Sequence, residues 1–321
     1  MKNIKRFAAF ALCACVALFS GCRDNSDEKK EIAVIVKATD SDFWHGVKSG
    51  VDAAATEYNV SVTFEGPRNE EDYSAQNKLI EDAVKSGAGA IVLSAIDYKN
   101  NADAVNKAVR AGTKVVTIDS NVDSNLVSMF IGTDNEEAGK AAAAAAISGF
   151  APESEIRIGL VNYYKSTDNG MRREQGFRDY IDSVSNAAVS AAVNVDGNIQ
   201  SATDGAAALM HDHPEINVLV GFNEWTTLGV GNTVKNLGLT DCVRAVGFDT
   251  NTASFEMLEA GIMDALIVQN PFAIGYLGVQ NAEKLLSDNS AENQNIYTAV
   301  TTVTKDNMFD KDIQKLIFRQ N

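Results

Sequence analysis

Residues 31–64 read EIAVIVKATDSDFWHGVKSGVDAAATEYNVSVTF, and this stretch determines the fold class. It begins with an unbroken, largely β-branched apolar run at residues 32–36, which is typical of a strand buried on both faces. An amphipathic, alanine-rich stretch follows at residues 43–58, and a second short apolar run follows at residues 60–64. This order predicts two parallel strands joined by a right-handed helical crossover.

The rest of the chain repeats this alternation of short apolar runs and longer helical stretches. The further predicted strands are residues 90–93, 114–118, 156–161, 189–193, 218–222, 245–248 and 265–268, and the further predicted helices include residues 72–86, 136–149, 172–184 and 272–286. The β/α pattern runs twice, over residues 32–131 and again over residues 156–268. We therefore predict an α/β fold of two similar lobes, each a doubly wound parallel sheet. Ligands of such sheets bind at the carboxyl ends of the strands, so the residues that follow each run are the candidate site.

The first residues have the order of a signal peptide. Lys2, Lys5 and Arg6 precede an uncharged apolar run at residues 7–19, which is too short to span a bilayer. The string FSGC at residues 19–22 is similar to a lipobox, which predicts cleavage after residue 21 and acylation of Cys22. Two or three acyl chains would anchor the protein firmly to membrane lipid. We predict an extracytoplasmic, lipid-anchored protein in which residues 22–31 form a polar tether.

Composition excludes several classes of partner. The chain carries 43 acidic against 28 basic residues, a formal net charge of −15. Nucleic acid and anionic lipid headgroups are therefore poor partners. After removal of the signal peptide and acylation of Cys22, Cys242 is the one free cysteine left, so no disulfide is expected within the fold.

Motifs for catalysis, cofactors and metals are absent from the sequence. No glycine-rich dinucleotide fingerprint follows the first strand and no Walker A lysine motif occurs, and Gly229-Val230-Gly231 lies within a helical stretch where packing explains it. The string at residues 211–214, HDHP, lies at a helix end without an evident third ligand. We therefore predict no enzyme activity, no cofactor and no metal.

Two adjacent aromatic residues and several polar residues follow the predicted strands. Phe43 and Trp44 stand at a helix start shortly after the first strand, where aromatic planes can stack on the apolar faces of sugar rings. The polar residues, which can form planar or bidentate bonds to hydroxyls, are Asp119, Arg173, Asn223, Asp249 and Gln269. A single such residue is more often core, a helix cap or a solvated face. Five of them after five different elements favour a binding site.

These residues lie in motifs that resemble the type 1 periplasmic binding proteins, especially the ribose-binding branch, over nearly the whole mature chain. The matching segments are residues 43–44, 76–83, 118–121, 131–139, 172–177, 221–224, 246–249 and 269–271. The resemblance implies that Phe43 and Trp44 flank a sugar and that the five polar residues hydrogen-bond its hydroxyls and ring oxygen. It also implies a monomeric solute-binding subunit that delivers the sugar to an ABC permease by hinge closure.

The sequence departs from the ribose-binding pattern at five positions. Ser41-Asp42 stands where that branch commonly has Asn-Pro, Ser94 stands where it has asparagine, Ser120 stands where it has arginine, and Trp44 replaces phenylalanine. Ser41 and Ser94 remain candidate ligand-binding residues at those places, and Lys37, just after the first strand, is a further candidate. Another pentose, or a hexose, therefore fits the sequence as well as ribose does.

The resemblance also supplies a domain division and an alternative function. It implies a first lobe of residues 32–132 plus 270–298 and a second lobe of residues 133–269 plus 299–321, joined by three crossings. The alternative is a receptor for a furanosyl autoinducer, which is similar at Lys37, Asp119 and Thr167-Asp168 but not at residues 223–225. A DNA-binding repressor of the same core fold is excluded by the signal peptide and by the absence of a helix-turn-helix motif.

Overall fold

A computed structural model describes residues 30–288 and 294–318. The predicted signal peptide and Cys22 lie outside these residues, as does most of the predicted tether. The last two tether residues belong to the fold instead, because the Lys30 Nζ lies 2.8 Å from Glu283 Oε1 and Glu31 begins the first strand.

The first lobe is built on a six-stranded sheet. Its strands are β1 (Glu31–Ile35), β2 (Ser61–Glu65), β3 (Ala90–Leu93), β4 (Lys114–Ile118), β5 (Met129–Thr133) and β11 (Ile296–Thr298), in the order β11-β5-β4-β3-β1-β2. All neighbours in this sheet are parallel. Its helices are α1 (Asp42–Glu57), α2 (Tyr73–Lys85), α3 (Ala102–Arg110) and α9 (Pro271–Ser287). Apolar clusters cover both faces of the sheet, as expected of parallel strands with continuous apolar runs.

The second lobe repeats this plan with one difference. Its strands are β6 (Ile156–Asn162), β7 (Ala187–Asn194), β8 (Val218–Gly221), β9 (Arg244–Phe248), β10 (Ala265–Val268) and β12 (Thr301–Thr304), in the order β12-β10-β9-β8-β6-β7. The edge strand β12 runs antiparallel to β10, whereas β11 runs parallel to β5. Its helices are α4 (Asn135–Ile147), α5 (Asp168–Ile181), α6 (Ile199–Asp212), α7 (Glu224–Asn236), α8 (Thr252–Glu259) and α10 (Lys311–Phe318). The predicted fold class of two similar parallel-sheet lobes is therefore confirmed.

The chain passes between the two sheets three times. It passes from β5 to α4, from β10 to α9, and from β11 to β12. Neither sheet is therefore formed by one continuous segment. Across the part of the chain that the structure describes, no helix combines the length and the apolar content needed to cross a membrane.

Helices α4 and α5 approach each other closely through glycine. A Cβ atom at Gly176 would lie 2.0 Å from the Glu136 carbonyl oxygen, and one at Gly139 would lie 2.1 Å from the Arg173 carbonyl oxygen. Real Cβ atoms do not come this close to backbone, so both positions require glycine at this spacing. The contact fixes the height and rotation of α5, which carries Arg173 into the cleft.

Candidate functional site

The carboxyl ends of the central strands of both sheets face one another across a cleft. The two lobes leave a narrow cavity of about 30 Å³ between them, which is room for about one or two water molecules. Its lining consists of Lys37, Ser41, Phe43, Trp44, Glu70, Asp119, Tyr163, Asn169, Arg173, Asn223, Glu224, Trp225, Asp249 and Gln269. The structure thus brings all the predicted site residues except Ser94 to one cavity, and Ser94 lies directly behind Asp119.

Two aspartates occupy matching positions in the two lobes. Asp119 follows β4 with φ of 56°, and Asp249 follows β9 with φ of 63°. Each backbone N–H donates across to the neighbouring strand, from Asp119 to Ile131 O at 3.2 Å and from Asp249 to Ile267 O at 3.0 Å. Left-handed backbone costs a non-glycine residue roughly 1–2 kcal/mol, although aspartate tolerates it better than most. This strained turn at each strand end directs a carboxylate into the cleft.

The first-lobe aspartate belongs to a buried polar network. The Lys37 Nζ lies 3.1 Å from Asp119 Oδ2, and Ser94 Oγ donates to the same oxygen at 2.9 Å. All three side chains are almost fully buried. Ser94, where the ribose-binding branch has asparagine, therefore orients Asp119 and does not line the cavity.

Two second-lobe residues that the sequence did not single out extend this network across the cleft. Asn169 Nδ2 donates to Asp119 Oδ1 at 3.1 Å, and Asn169 Oδ1 accepts from Lys37 Nζ at 3.1 Å. Tyr163, from the end of β6, donates its hydroxyl to Asn169 Oδ1 at 2.8 Å. Burial raises the pKa of Tyr163, so the phenol remains a donor.

Arg173 is held by its own lobe on three sides. Its Nε donates to Asn135 Oδ1 at 2.8 Å, its Nη1 donates to the Phe222 carbonyl oxygen at 2.8 Å, and its guanidinium carbon lies 4.6 Å from the centre of the Phe248 ring. The side chain is 1% exposed, yet its Nη2 has no hydrogen-bond partner among the described residues. A buried, cationic donor without a protein acceptor is costly, so this point of the cavity favours an acceptor from outside the chain.

Asp249 and Gln269 form the floor on the second-lobe side. Gln269 Nε2 donates to Asp249 Oδ1 at 2.7 Å, and Gln269 Oε1 accepts from Thr133 Oγ1 at 2.8 Å. Burial raises the pKa of Asp249, and the guanidinium of Arg173 opposes the shift only in part. The second oxygen of Asp249 is available to accept from a hydroxyl.

Asn223 caps helix α7 and also lines the cavity. Its Oδ1 accepts from the Thr226 backbone N–H at 2.9 Å and from Thr226 Oγ1 at 2.7 Å. The cap therefore uses only the oxygen of the amide. Its Nδ2 group remains free to donate to a ligand, so capping and binding are compatible in one side chain.

The aromatic pair lies at the start of α1. The Phe43 and Trp44 rings meet edge to face with centroids 5.0 Å apart, and Trp44 Nε1 donates to Glu70 Oε1 at 2.7 Å. Both side chains belong to the first-lobe core and also line the cavity. Burial raises the pKa of Glu70, and the nearby charge of Lys37 opposes that shift.

Glu224 and Trp225 extend the second-lobe wall from the start of α7. Glu224 Oε1 accepts from Asn251 Nδ2 at 2.9 Å, and Glu224 Oε2 accepts from the Phe43 backbone N–H of the other lobe at 3.4 Å. Burial raises the pKa of Glu224 to about 7. The Trp225 ring packs edge to face on Tyr163 with centroids 5.6 Å apart.

Residues 32–290 match the family model of the periplasmic binding protein domain. The chain belongs to the periplasmic binding protein family. The resemblance seen in the motifs is thereby confirmed, and it covers both lobes.

Relatives of this periplasmic binding protein have been characterised with sugars. The D-ribose/D-allose-binding protein of Pseudomonas aeruginosa is 28% identical over 95% of this chain and 99% of its own. A solute-binding protein of an ABC transporter from Agrobacterium vitis, solved with bound D-fucose, is 32% identical and aligns over 90% of this chain and 100% of its own with a TM-score of 0.85. A carbohydrate-transporter protein from Agrobacterium radiobacter, solved with D-arabinose, is 28% identical and aligns over 91% of this chain and 99% of its own with a TM-score of 0.86.

Most of the lining residues that we did not predict could have been found from their position in the sequence. Tyr163 directly follows β6 and Asn169 lies at the start of the helix after it, while Glu224 and Trp225 begin the helix that follows β8. The strand-end rule that located their neighbours covers them as well. Glu70 lies in a charged loop after the edge strand β2, where no local pattern distinguishes it from a solvated residue.

Residues considered for other functions lie away from the cavity. Asp168 Oδ1 accepts from Arg172 Nε at 2.9 Å, and neither Thr167 nor Asp168 lines the cavity. The exposed His211 has one hydrogen-bond partner among the described residues, its neighbour Asp212, whose Oδ1 lies 2.8 Å from His211 Nδ1. Within residues 30–288 and 294–318 there is no group of three or more potential metal ligands.

Proposed function

We propose that this periplasmic binding protein is the solute-binding subunit of an ABC importer and holds one neutral pentose or hexose in the cleft. The buried Arg173 Nη2 is the observation that carries the proposal, because it needs an acceptor from the ligand. Asp249 supplies an acceptor beside it, and the Nδ2 of Asn223 supplies a donor. A compact polyol with a ring oxygen matches this alternation of donors and acceptors, and Trp44 can contact its apolar C–H face.

The chemistry of the lining supports binding without turnover. The titratable groups of the cavity bond to neighbouring side chains or to backbone groups, and the sugar-binding relatives are transport proteins. We propose that the sugar holds the two lobes closed and that this closed form is presented to the permease. The rigid bodies of the motion are residues 32–132 plus 270–298 and residues 133–269 plus 299–321.

A thermal-shift panel of neutral monosaccharides tests the ligand class. A sugar at a hundred times its dissociation constant should stabilise the protein by about 2.7 kcal/mol. The panel should contain ribose, allose, arabinose and fucose, with a uronic acid as the anionic comparison. No shift with any neutral sugar, together with a shift by a furanosyl autoinducer, would replace the proposal with the signalling alternative. The contact between Lys37 and Asp119 is the observation that keeps this alternative in the test.

We also propose that Cys22 anchors the protein to membrane lipid. The signal-like residues 1–21 and the lipobox-like string support this location. Expression of the native chain and of Cys22→Ala with labelled palmitate provides the test. Label in the native chain and none in the variant is expected, and equal labelling of the two contradicts the anchor.

A further inference from the structure

The two lobes touch directly at the bottom of the cleft through Asn169. This residue lies at the start of α5 in the second lobe and contacts the Lys37–Asp119 ion pair of the first lobe. Its Oδ1 accepts from Lys37 Nζ at 3.1 Å, and its Nδ2 donates to Asp119 Oδ1 and Oδ2 at 3.1 and 3.3 Å. The amide oxygen of Asn169 therefore faces a donor on the other lobe, Lys37, and its amide nitrogen faces an acceptor there, Asp119.

Each side of this contact is held in place before the lobes meet. Within the second lobe, the Tyr163 hydroxyl and the Gly170 backbone N–H donate to Asn169 Oδ1 at 2.8 and 2.9 Å. Within the first lobe, Ser94 and Lys37 fix the Asp119 carboxylate. Asn169, Lys37 and Asp119 are each 3% exposed or less. Charge-assisted bonds between ordered groups in a water-poor site are stronger than the same bonds at a surface.

This contact occupies most of the hydrogen-bonding capacity of Asp119. An ionised carboxylate offers about four acceptor sites. Three donor atoms already point to them, Lys37 Nζ, Ser94 Oγ and Asn169 Nδ2, the last shared between both carboxylate oxygens. Little capacity is left for a sugar hydroxyl, in contrast to Asp249, which receives one donor at 2.7 Å. The two matching aspartates, Asp119 and Asp249, therefore differ in how many further hydrogen bonds they can accept from a ligand.

We propose that Asn169 is a latch residue, which docks on the Lys37–Asp119 ion pair when the lobes close and so determines how long the closed form lasts. The sugar is held mainly by the groups around Arg173 and Asp249, while Asn169 acts on the sugar only through closure. This role rests on the proposed sugar-binding function for its effect on affinity. The docking itself does not depend on which ligand is bound.

The variant Asn169→Asp tests the latch at constant side-chain size. It keeps the oxygen that faces Lys37 but replaces the donor that faces Asp119 with a second carboxylate oxygen, so closure brings two carboxylates together. The sugar dissociation rate should rise about ten- to a hundred-fold, while the association rate should change by less than about three-fold. Asn169→Ala removes the amide without adding charge and should show a smaller rise.

A matched control is available in the same lobe. Asn186 Nδ2 donates to the Pro152 and Ser154 carbonyl oxygens at 3.2 and 2.8 Å, and all of these bonds stay within the second lobe. Asn186→Asp makes the same chemical change without an interlobe partner. The melting temperature of Asn186→Asp should fall, while the association and dissociation rates of the sugar should stay at the native values.

The chain contains its own reporter of closure. Its two tryptophans, Trp44 and Trp225, lie on opposite walls of the cavity, so their fluorescence responds when the lobes separate. Stopped-flow fluorescence on the full-length protein gives both rates, and small-angle scattering gives the radius of gyration with and without sugar. Folded Asn169→Asp protein with native dissociation rate and native radius would overturn the proposal.

Failure of the latch and failure of the proposed function give different results. If no sugar binds the native protein, the sugar proposal is wrong, and the latch is then decided by scattering alone. Asn169→Asp should be more expanded than the native protein under the same conditions. Other interlobe bonds stay unchanged in the variant and limit the size of the effect. They include Tyr98 N–H to Ser166 O at 2.8 Å, Tyr164 OH to Asp97 Oδ2 at 3.1 Å and Phe43 N–H to Glu224 Oε2 at 3.4 Å.

Discussion

Asp249 combines a strained backbone, a buried charge and a free acceptor oxygen in one residue. Its pKa is raised because burial disfavours the carboxylate, and Arg173 and Gln269 offset that cost only in part. Burial therefore favours the protonated form of Asp249, while Arg173 and Gln269 favour the carboxylate. Such an arrangement is expected where a charge acts on a ligand and not on the fold.

Replacing Asp249 with asparagine should separate binding from stability. Asparagine accepts the left-handed backbone and can still accept the bond from Gln269, but it loses the charged acceptor. A hydrogen bond to a charged group contributes about 1.5–3 kcal/mol, so the sugar dissociation constant should rise about ten- to a hundred-fold in calorimetry. The melting temperature should stay at the native value or rise. Asp241→Asn, at an exposed position just before β9, should change neither quantity.

Glu224 makes the affinity depend on pH. In the structure burial raises the pKa of this carboxyl to about 7, and we expect it to face water in an open form, with a pKa near its ordinary value of 4.5. Closure therefore takes up a proton between these values, so affinity should be highest below pH 4.5, fall as the pH rises to about 7, and change no further above it. Calorimetric titrations across this range measure the slope.

The variant Glu224→Gln provides the control for this pH dependence. The amide oxygen can still accept from the Phe43 backbone N–H, and nothing titrates, but the amide nitrogen then faces the Asn251 Nδ2 donor, so that bond is lost. Glu70 and Asp249 also have raised pKa values and contribute in the same direction, so the slope should decrease without vanishing. A variant with the full native slope would show that Glu224 does not change its protonation on closure.

Individual site residues could be predicted from the sequence where a short motif at or after a strand end carries a polar side chain. Asp119, Arg173, Asn223, Asp249 and Gln269 all reach the cavity for this reason. Two properties could not be predicted in this way. Ser94 lies behind Asp119 because its hydroxyl is too short to reach the cavity past the carboxylate that it binds. The bond from Asn169 to Lys37 joins residues that are distant in the sequence and belong to different lobes.

At the scale of elements, the contact between α4 and α5 places the cationic side of the cleft. Gly176→Ala should force these helices apart, because the added Cβ would meet the Glu136 carbonyl oxygen at 2.0 Å. Arg173 lies one turn earlier on α5 and bonds to Asn135 on α4, so the shift should also weaken that bond. We expect a loss of about 1–3 kcal/mol in the free energy of unfolding and weaker sugar binding.

The neighbouring position on α5 provides the comparison. Gln175 is exposed, and its side chain bonds only to Asp179 on the same helix. Gln175→Ala should change the free energy of unfolding by less than about 0.5 kcal/mol and leave affinity unchanged. Urea unfolding of both variants measures the difference. Equal stability of the two would mean that α4 and α5 can separate without cost.

The elements that the sequence predicted best are the buried central strands. Polar residues bound their apolar runs. The strands β3, β4 and β10 therefore begin and end at the predicted residues. The edge strands β11 and β12 are harder to recognise from the sequence. Each has only three or four residues, most of them half-exposed, which is too short to show a clear alternation of apolar and polar residues. Their positions depend on pairing with distant strands and not on local pattern.

At the scale of the whole molecule, the first lobe depends on a late segment of the chain. Helix α9 contributes Ile274, Val279, Ala282 and Leu285 to the same apolar cluster as β1 and α1, and β11 covers the edge of β5. A fragment of residues 30–133 lacks both elements. It should therefore remain expanded and bind a hydrophobic dye, with helix content but no fixed packing.

Complementation tests whether these elements are what the fragment lacks. Addition of a peptide of residues 270–298 should compact the fragment and reduce dye binding. A scrambled peptide of the same composition should have no effect. Circular dichroism and size-exclusion chromatography follow both changes. A fragment that is compact and does not bind dye alone would show that α9 and β11 are dispensable for the first lobe.

The late position of α9 and β11 also affects synthesis and secretion. A nascent chain emerges from the ribosome with its amino end first, so β1 to β5 leave long before the helix and strand that complete their sheet. Residues 134–270 alone take on the order of 10 s to translate. Throughout that time the amino-terminal lobe has an uncovered apolar face and an open strand edge, and it cannot reach its final packing. A precursor that folds this late would remain threadable through a narrow translocation pore, so we expect the order of the segments to favour export of the unfolded chain.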